Sequence, residues 1–366
     1  MIVNRIGKYF FPMSLNKNLT REFSPLLLQW NREKNDRKMP WKGEKDPYKI
    51  WLSEIILQQT RVEQGLRYYK KFVEKFSTIQ ELAAASDTKI YKLWEGLGYY
   101  SRCKNLIETA RFISKNLKGL FPDNYENIKA LKGVGSYTAS AIASFAYNLP
   151  YAVIDGNVFR VLSRIFGVKK AIDSTEGKKY FTKLASELLD KMQAGIYNQA
   201  LMDFGAVVCK PVNPQCTECV FRKYCYAYKN EAITKLPFKE KKIKVKNRWF
   251  YYIIMEYRSR VYIKQRTSND IWKNLYEFVL IEPEKKTTMN RILELAIEKG
   301  IFSKKDHSVQ SISFIQSQLL SHQKISGQFI KLKLRKAPYF PGSIAIFPSQ
   351  LTRYAFPQFI NTYFKQ

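Results

Sequence analysis

The chain has 366 residues, 45% hydrophobic and 15% aromatic, which suits two domains with real cores and excludes a disordered polypeptide. Its 62 Lys and Arg against 31 Asp and Glu give a formal net charge of +31, so a polyanion is the expected partner, nucleic acid before an anionic membrane surface. With only His307 and His322 there is no material for a His-based metal site or relay, and no apolar run reaches the ~18 residues that a membrane span needs.

Residues 1–19 are basic and aromatic but lack the apolar core and cleavage site of a secretory leader. They read as an N-terminal extension, and the cytoplasm as the compartment, nucleoid-associated in a bacterium. Over 20–230 apolar residues recur at spacings of three and four, which predicts an all-α domain. Helices are expected at Tyr48–Arg61, Gly65–Lys75, Thr88–Leu97, Asn105–Leu117, Thr138–Tyr147, Val158–Phe166 and Tyr180–Met192. Gly96, Gly98, Pro122, Gly133, Gly135 and Pro150 punctuate them. Residues 231–248 are polar and basic and read as a linker. Beyond it the period shortens: strands are expected at Trp249–Tyr257, Arg260–Gln265, Tyr276–Ile281 and Gln328–Arg335, and helices at Met289–Lys299 and Gln350–Phe364. Residues 249–366 are thus predicted to form an α+β domain.

Four cysteines, Cys209, Cys216, Cys219 and Cys225, follow a C-x6-C-x2-C-x5-C pattern. Soft thiolates so closely spaced suit a [4Fe–4S] cluster, with zinc as the alternative; zinc more often takes two C-x2-C hairpins, and only one is present. Cys103 stands apart and reads as a buried thiol. Leu131-Lys132-Gly133-Val134-Gly135 precedes a helix rich in small residues, a turn whose amides can bind a DNA phosphate; alone it would pass for an ordinary helix–helix turn. Asp155 lies between apolar residues just ahead of Val158–Phe166, where, on this segment alone, helix capping explains it better than chemistry does. Glu54 sits in the apolar run Trp51–Leu57, where desolvation would favour its protonated form, as a general acid requires; a solvent-facing Glu on an amphipathic helix is the alternative, less favoured with apolar neighbours on most sides. Tyr99, in Leu97-Gly98-Tyr99-Tyr100-Ser101-Arg102, is an aromatic beside basic residues that can stack on a base or join a core.

Taken in order, PWKGEKDPYKIWLSEIILQQT, GLGYYSR, LKGVGSYTASAI, VIDGNVFRVLSR, NQALMDFGA and the cysteine pattern resemble the helix–hairpin–helix DNA glycosylases, specifically the MutY-type adenine DNA glycosylases. The resemblance is close over 40–228 and looser beyond. It implies a monofunctional enzyme that removes adenine mispaired with 8-oxoguanine or guanine in double-stranded DNA, acts as a monomer and carries a [4Fe–4S] cluster on the four cysteines. By the same resemblance Glu54 matches the general acid and Asp155 the carboxylate that stabilises the sugar cation. Tyr137 and Asn157 match supporting residues, Gln59 and Tyr99 residues that wedge into the duplex, and Gly133 and Gly135 the phosphate-binding hairpin. Lys132 replaces a more usual Pro in that hairpin. The related endonuclease III-like glycosylase/lyases, acting on oxidised pyrimidines, are the alternative; they place a Schiff-base lysine where this chain has Tyr137. The C-terminal part resembles the Nudix-like module that recognises 8-oxoguanine, with Leu320-Ser321-His322 matching its F-S-H turn and Leu320 in place of Phe. Arg291–Gly300 lacks the clustered carboxylates of a working Nudix hydrolase, so recognition without hydrolysis is expected.

Overall fold

The structure is a computed structural model that describes residues 17–240 and 245–365; residues 1–16 of the predicted extension and 241–244 of the predicted linker lie outside the described residues. Helices follow one another as α1 (Lys17–Glu33), α2 (Pro47–Leu57), α3 (Val62–Lys75), α4 (Ile79–Ala84), α5 (Asp87–Trp94), α6 (Tyr100–Asn116), α7 (Tyr125–Ala130), α8 (Ser136–Tyr147), α9 (Gly156–Phe166), α10 (Thr175–Leu188), α11 (Ala194–Val207) and α12 (Tyr226–Lys229). The boundaries move for local reasons. Helix α1 reaches back to Lys17 and buries Leu19, so the extension ends earlier than expected. Helix α2 stops at Leu57, short of Arg61, because Gln59 turns left-handed (φ 53°). Helix α10 starts at Thr175 rather than Tyr180, since the Ser174 hydroxyl caps the Gly177 N–H at 2.9 Å.

The chain divides into two compact units, one of residues up to 55 with 120–241, the other of 56–119 with 242–366. Helices α3–α6 thus group with the C-terminal part rather than with the rest of 20–230. Polar contacts hold them there: Glu95 Oε1 accepts from the Phe356 N–H (2.8 Å) and the Asn361 amide (3.0 Å), and the Asn274 amide donates to Tyr91 Oη at 2.7 Å.

In the first unit the apolar stripe of α9 (Val158, Val161, Leu162, Ile165) packs with Phe23, Leu27 and Trp30 of α1, Phe181 and Leu184 of α10, and Tyr197, Leu201 and Phe204 of α11. Residues 233–238 are not a free tether. Arg164 Nε donates to the carbonyls of Ile233 and Leu236, both at 3.1 Å, and Leu236 is buried.

The second unit is built on one sheet of β1 (Lys246–Tyr257), β2 (Arg260–Gln265), β3 (Tyr276–Glu277), β4 (Val279–Ile281), β5 (His307–Ile312), β6 (Gln316–Leu319), β7 (Gln323–Leu334) and β8 (Ser343–Ile346), with α13 (Met289–Glu298) and α14 (Gln358–Tyr363). The main path runs β3-β2-β1-β7-β5, with β4 on β1, β6 on β7 and β8 on β2. Strands β1 and β7 pair in parallel, from Lys246↔Gln323 to Glu256↔Lys333. Phe250–Met255 are buried without a break because both faces are covered. Tyr251, Ile253 and Met255 pack with Ile292, Leu293 and Ala296 of α13, while Tyr252 stacks on Phe329 and meets Phe359 at a tilt. The predicted helix at 350–364 is broken by Pro357 into a 3-10 turn, Pro348–Arg353, and α14. Beyond these shifts, the all-α and α+β assignments of the two halves of the chain hold.

Candidate active site and nucleic-acid interface

Three elements of the first unit bring its acidic residues together. The Asp46 carboxylate accepts the Tyr48 N–H at 2.9 Å and starts α2, which buries Glu54 among Trp51, Ile55 and Ile50. Desolvation, with the negative charge of Asp155, pushes the Glu54 carboxyl up to about 7, against a hydrogen bond from Tyr137 that lowers it. Tyr137 stands in the first turn of α8, and burial beside two carboxylates raises its hydroxyl well above the usual phenol range, so it remains a neutral donor.

Asp155 caps α9, and both of its oxygens are engaged. Oδ1 accepts the Val158 N–H at 2.7 Å and Oδ2 accepts the Asn157 side-chain amide at 2.7 Å. Burial raises its pKa; the Val158 N–H, Asn157 and the cationic Arg160 act the other way. The capping and chemical readings of this residue are therefore compatible. Asn157 is itself fixed. The Arg160 guanidinium donates to Asn157 Oδ1 (2.8 Å) and to the carbonyls of Gly205 (2.7 Å) and Cys209 (2.7 Å). Gly205 lets α11 approach, for a Cβ there would stand 2.6 Å from Asn157 Cβ.

Between α7 and α8 the hairpin places Gly133 at φ +79°, a left-handed turn that favours glycine, and Gly135 caps α8 in extended conformation. Both glycines are exposed, and the first N–H groups of a helix have no partner within it, which is the arrangement that binds a phosphate.

The four cysteines are free thiols, partly buried, in the loop after α11. They feel one another's charge: burial pushes Cys219 up to about 12, with Cys209, Cys225 and Cys216 adding to the rise. Arg164 spans the loop, donating to the carbonyls of Lys210 (2.7 Å) and Pro211 (3.1 Å) and lying 3.6 Å from Cys209 Sγ. Among the described residues, no group of three His, Cys, Asp or Glu is placed to hold a metal ion. Cys103 is buried, as expected.

In the second unit Gln59 (φ 53°) and Tyr99 (φ 47°) are exposed and left-handed, a conformation that costs roughly 1–2 kcal/mol for residues with a Cβ. Arg102 holds both turns. Its guanidinium donates to the carbonyls of Ile56 (2.9 Å) and Gln58 (2.6 Å) and lies 5.3 Å over the Tyr99 ring. The Tyr99 hydroxyl is hydrogen-bonded to Ser321. Tyr99, Leu320, Ser321 and His322 line a cavity of about 660 Å³ together with Asp270 and Trp272. Gln59 is not among its lining residues.

A model of HhH-GPD superfamily base excision DNA repair proteins matches residues 52–188. An adenine DNA glycosylase of Buchnera aphidicola subsp. Acyrthosiphon pisum (strain APS) is 36% identical over 256 residues, 70% of this chain and 73% of its own length. One of Buchnera aphidicola subsp. Schizaphis graminum (strain Sg) is 34% identical over 289 residues, 79% and 82% of the two chains. The chain belongs to the adenine DNA glycosylase family. A solved thermostable thymine-DNA glycosylase shares the helical fold, with a TM-score of 0.55 at 29% identity over 59% of this chain and 99% of that one.

Several residues that brace the candidate site in this family member carry little signal in the sequence. Arg160, Arg102 and Gly205 were not singled out; the signal for Arg160 and Arg164 was two arginines four apart in the apolar stretch VFRVLSRIF. Asp203, fully buried, was also missed. It gathers Arg37 (2.8 Å), Lys42 (3.1 Å) and Asn35 (3.0 Å) from the segment that leads into α2. Among the described residues no helix is long and apolar enough to cross a membrane.

Proposed function

We propose that this adenine DNA glycosylase family member hydrolyses the N-glycosidic bond of adenine opposite 8-oxoguanine or guanine, leaving an abasic site without lyase chemistry. The observation that carries the reading is the pairing of a carboxyl near pKa 7 with a second carboxylate held by a helix N-terminus. Burial raises both carboxyls, but at Asp155 the Val158 N–H, Asn157 and the cationic Arg160 oppose the rise, so the pair divides into an acid, Glu54, and a charge stabiliser, Asp155. Glu54, half protonated at neutral pH, delivers its proton to a ring nitrogen of the extruded adenine and makes it a leaving group. Asp155, fixed by Val158 and Asn157, faces the developing sugar cation and stabilises it before water adds. Tyr137 keeps its hydroxyl on Glu54; no amine stands at that position to form a Schiff base.

DNA is the partner that the +31 charge attracts. Gly133 and Gly135 bind a DNA phosphate, Gln59 and Tyr99 enter the duplex, and Ser321 with His322 contacts the base opposite adenine from a Nudix-like module that lacks hydrolysis. In support of the last point, Glu294 and Glu298 of α13 are paired with Arg291 at 3.1 and 2.8 Å on an exposed face. The four partly buried thiols have the soft-donor chemistry that a [4Fe–4S] cluster takes, with backbone N–H groups near Cys219 and Cys225, and such a cluster would supply rigidity to the loop. The enzyme is proposed to act as a monomer.

Single-turnover assays on duplexes with adenine opposite 8-oxoguanine, guanine or thymine test the reading. Alkali-dependent scission at adenine, fastest opposite 8-oxoguanine and slight opposite thymine, is the expected result. A covalent adduct trapped by borohydride would overturn the monofunctional reading, and no adenine release from any duplex would overturn the whole.

A further inference from the structure

One guanidinium ties together two walls of the cavity beside Tyr99. Arg248, near the start of β1, is largely buried and spends its donors on three partners. Nε and Nη2 form a fork on Glu282 (2.7 and 2.8 Å), and Nη1 and Nη2 a second fork on Asp270 (2.8 and 2.7 Å). Nη1 also donates to Gln323 Oε1 at 3.0 Å. Asp270 belongs to the 269–274 wall and Gln323 ends the 318–323 wall.

Both walls are otherwise shaped by local constraint. The 269–274 loop holds Trp272 (φ 62°) and Asn274 (φ 71°) left-handed, and Arg266 braces it through the Ile271 carbonyl (3.2 Å) and Asp270 (3.1 Å). The turn at Ser321 and His322 is closed by the Leu320 N–H on the Gln323 carbonyl (2.7 Å), and the His322 carbonyl accepts the Lys246 N–H (2.9 Å). Between these two elements the Arg248 side chain is a direct polar bridge. A lysine at 248 would keep the charge but not the two planar forks.

We propose that Arg248 is a positioning residue for discrimination of the base opposite adenine, setting the spacing between the 269–274 loop and the turn that carries Ser321 and His322. It touches no substrate; it acts through Asp270 and Gln323. The proposal rests on the reading that this turn meets the opposite base. A bracing role confined to stability would lower all activities together, whereas a positioning role lowers the preference.

The test uses the full-length protein and single-turnover rates on duplexes with adenine opposite 8-oxoguanine and opposite guanine. For Arg248→Lys the rate ratio between the two duplexes is expected to fall by about fivefold or more through a loss on the 8-oxoguanine duplex, with the saturating rate on the guanine duplex within about twofold of the parent. Gln323→Met should show a smaller loss, and the double variant no more than Arg248→Lys alone. An unchanged ratio in Arg248→Lys, or a proportional fall of both rates, overturns the proposal. If Arg248→Lys fails to fold, Gln323→Met and Asp270→Asn decide, and an unchanged ratio in both is the overturning result. Ser321→Ala and His322→Ala are run in parallel. A reduced ratio in these with none in Arg248→Lys removes only the positioning role; no effect in any variant removes the recognition reading as well.

Discussion

Replacing Glu54 with Gln should make the protein more stable at neutral pH while abolishing adenine release. In the fold the carboxyl is pushed from 4.5 to about 7, and at 1.36 kcal/mol per unit this amounts to about 3 kcal/mol of preference for the protonated form. Because the folded value is raised, Glu54 contributes fully to stability below about 4.5, and that contribution is lost as pH climbs through about 7. Gln keeps an acceptor for Tyr137 but never ionises. The advantage of the variant over the parent should therefore grow by roughly 2–3 kcal/mol between pH 5 and pH 8, read by urea unfolding at each pH. Base release from the 8-oxoguanine duplex should fall by about 10²–10⁴-fold, since the amide has no proton to give. The parent rate should drop about tenfold per pH unit above about 7 as the acid form disappears. Stability curves that run parallel over this pH range, or a parent rate that stays level from pH 7 to 9, would refute the reasoning.

Other substitutions separate the remaining roles. Asp155→Asn keeps an acceptor for Val158 but loses the one for Asn157, so the thermal midpoint should fall modestly, while the single-turnover rate should fall by about 10²–10³-fold as charge stabilisation is lost. Tyr137→Phe removes a hydrogen bond that lowers the Glu54 pKa, so the alkaline limb of the rate profile should shift to higher pH. Arg160→Leu leaves the Gly205 and Cys209 carbonyls and Asn157 without their donor, which should cost about 3 kcal/mol in urea unfolding and slow base release. Gly133→Ala forces a Cβ into a left-handed turn; a loss of about 1–2 kcal/mol is expected, with weaker binding to undamaged duplex in a filter or anisotropy assay.

The two halves of the chain differ in how much of them could be read from residues alone. Helical periodicity placed the α-rich part, and the run Trp249–Tyr257 announced β1, though not that both of its faces are covered. Strands β5 and β6 were not foreseen, because their side chains are mostly exposed and leave no alternation to read. Glu54 was legible because an acid in an apolar run has few innocent explanations. Asp155 was less so, since a helix cap produces the same pattern. Arginines such as Arg160, Arg102 and Arg248 escaped because arginine is ordinarily a surface residue. What each one holds is a set of carbonyls or carboxylates whose positions only the folded chain reveals.

The hydrogen bond that begins α9 also decides what its first carboxylate can do. With one oxygen on the Val158 amide and the other on Asn157, Asp155 cannot swing, so its charge is aimed before any substrate arrives. Reorientation, which a freely rotating acid must undergo at each turnover, was completed once, when the helix formed. Side chains able to start this helix are few, and of those only aspartate brings a negative charge. Under the proposed mechanism folding and chemistry select the same residue, and a variant that satisfies the first demand alone would be a well-ordered protein with a silent site.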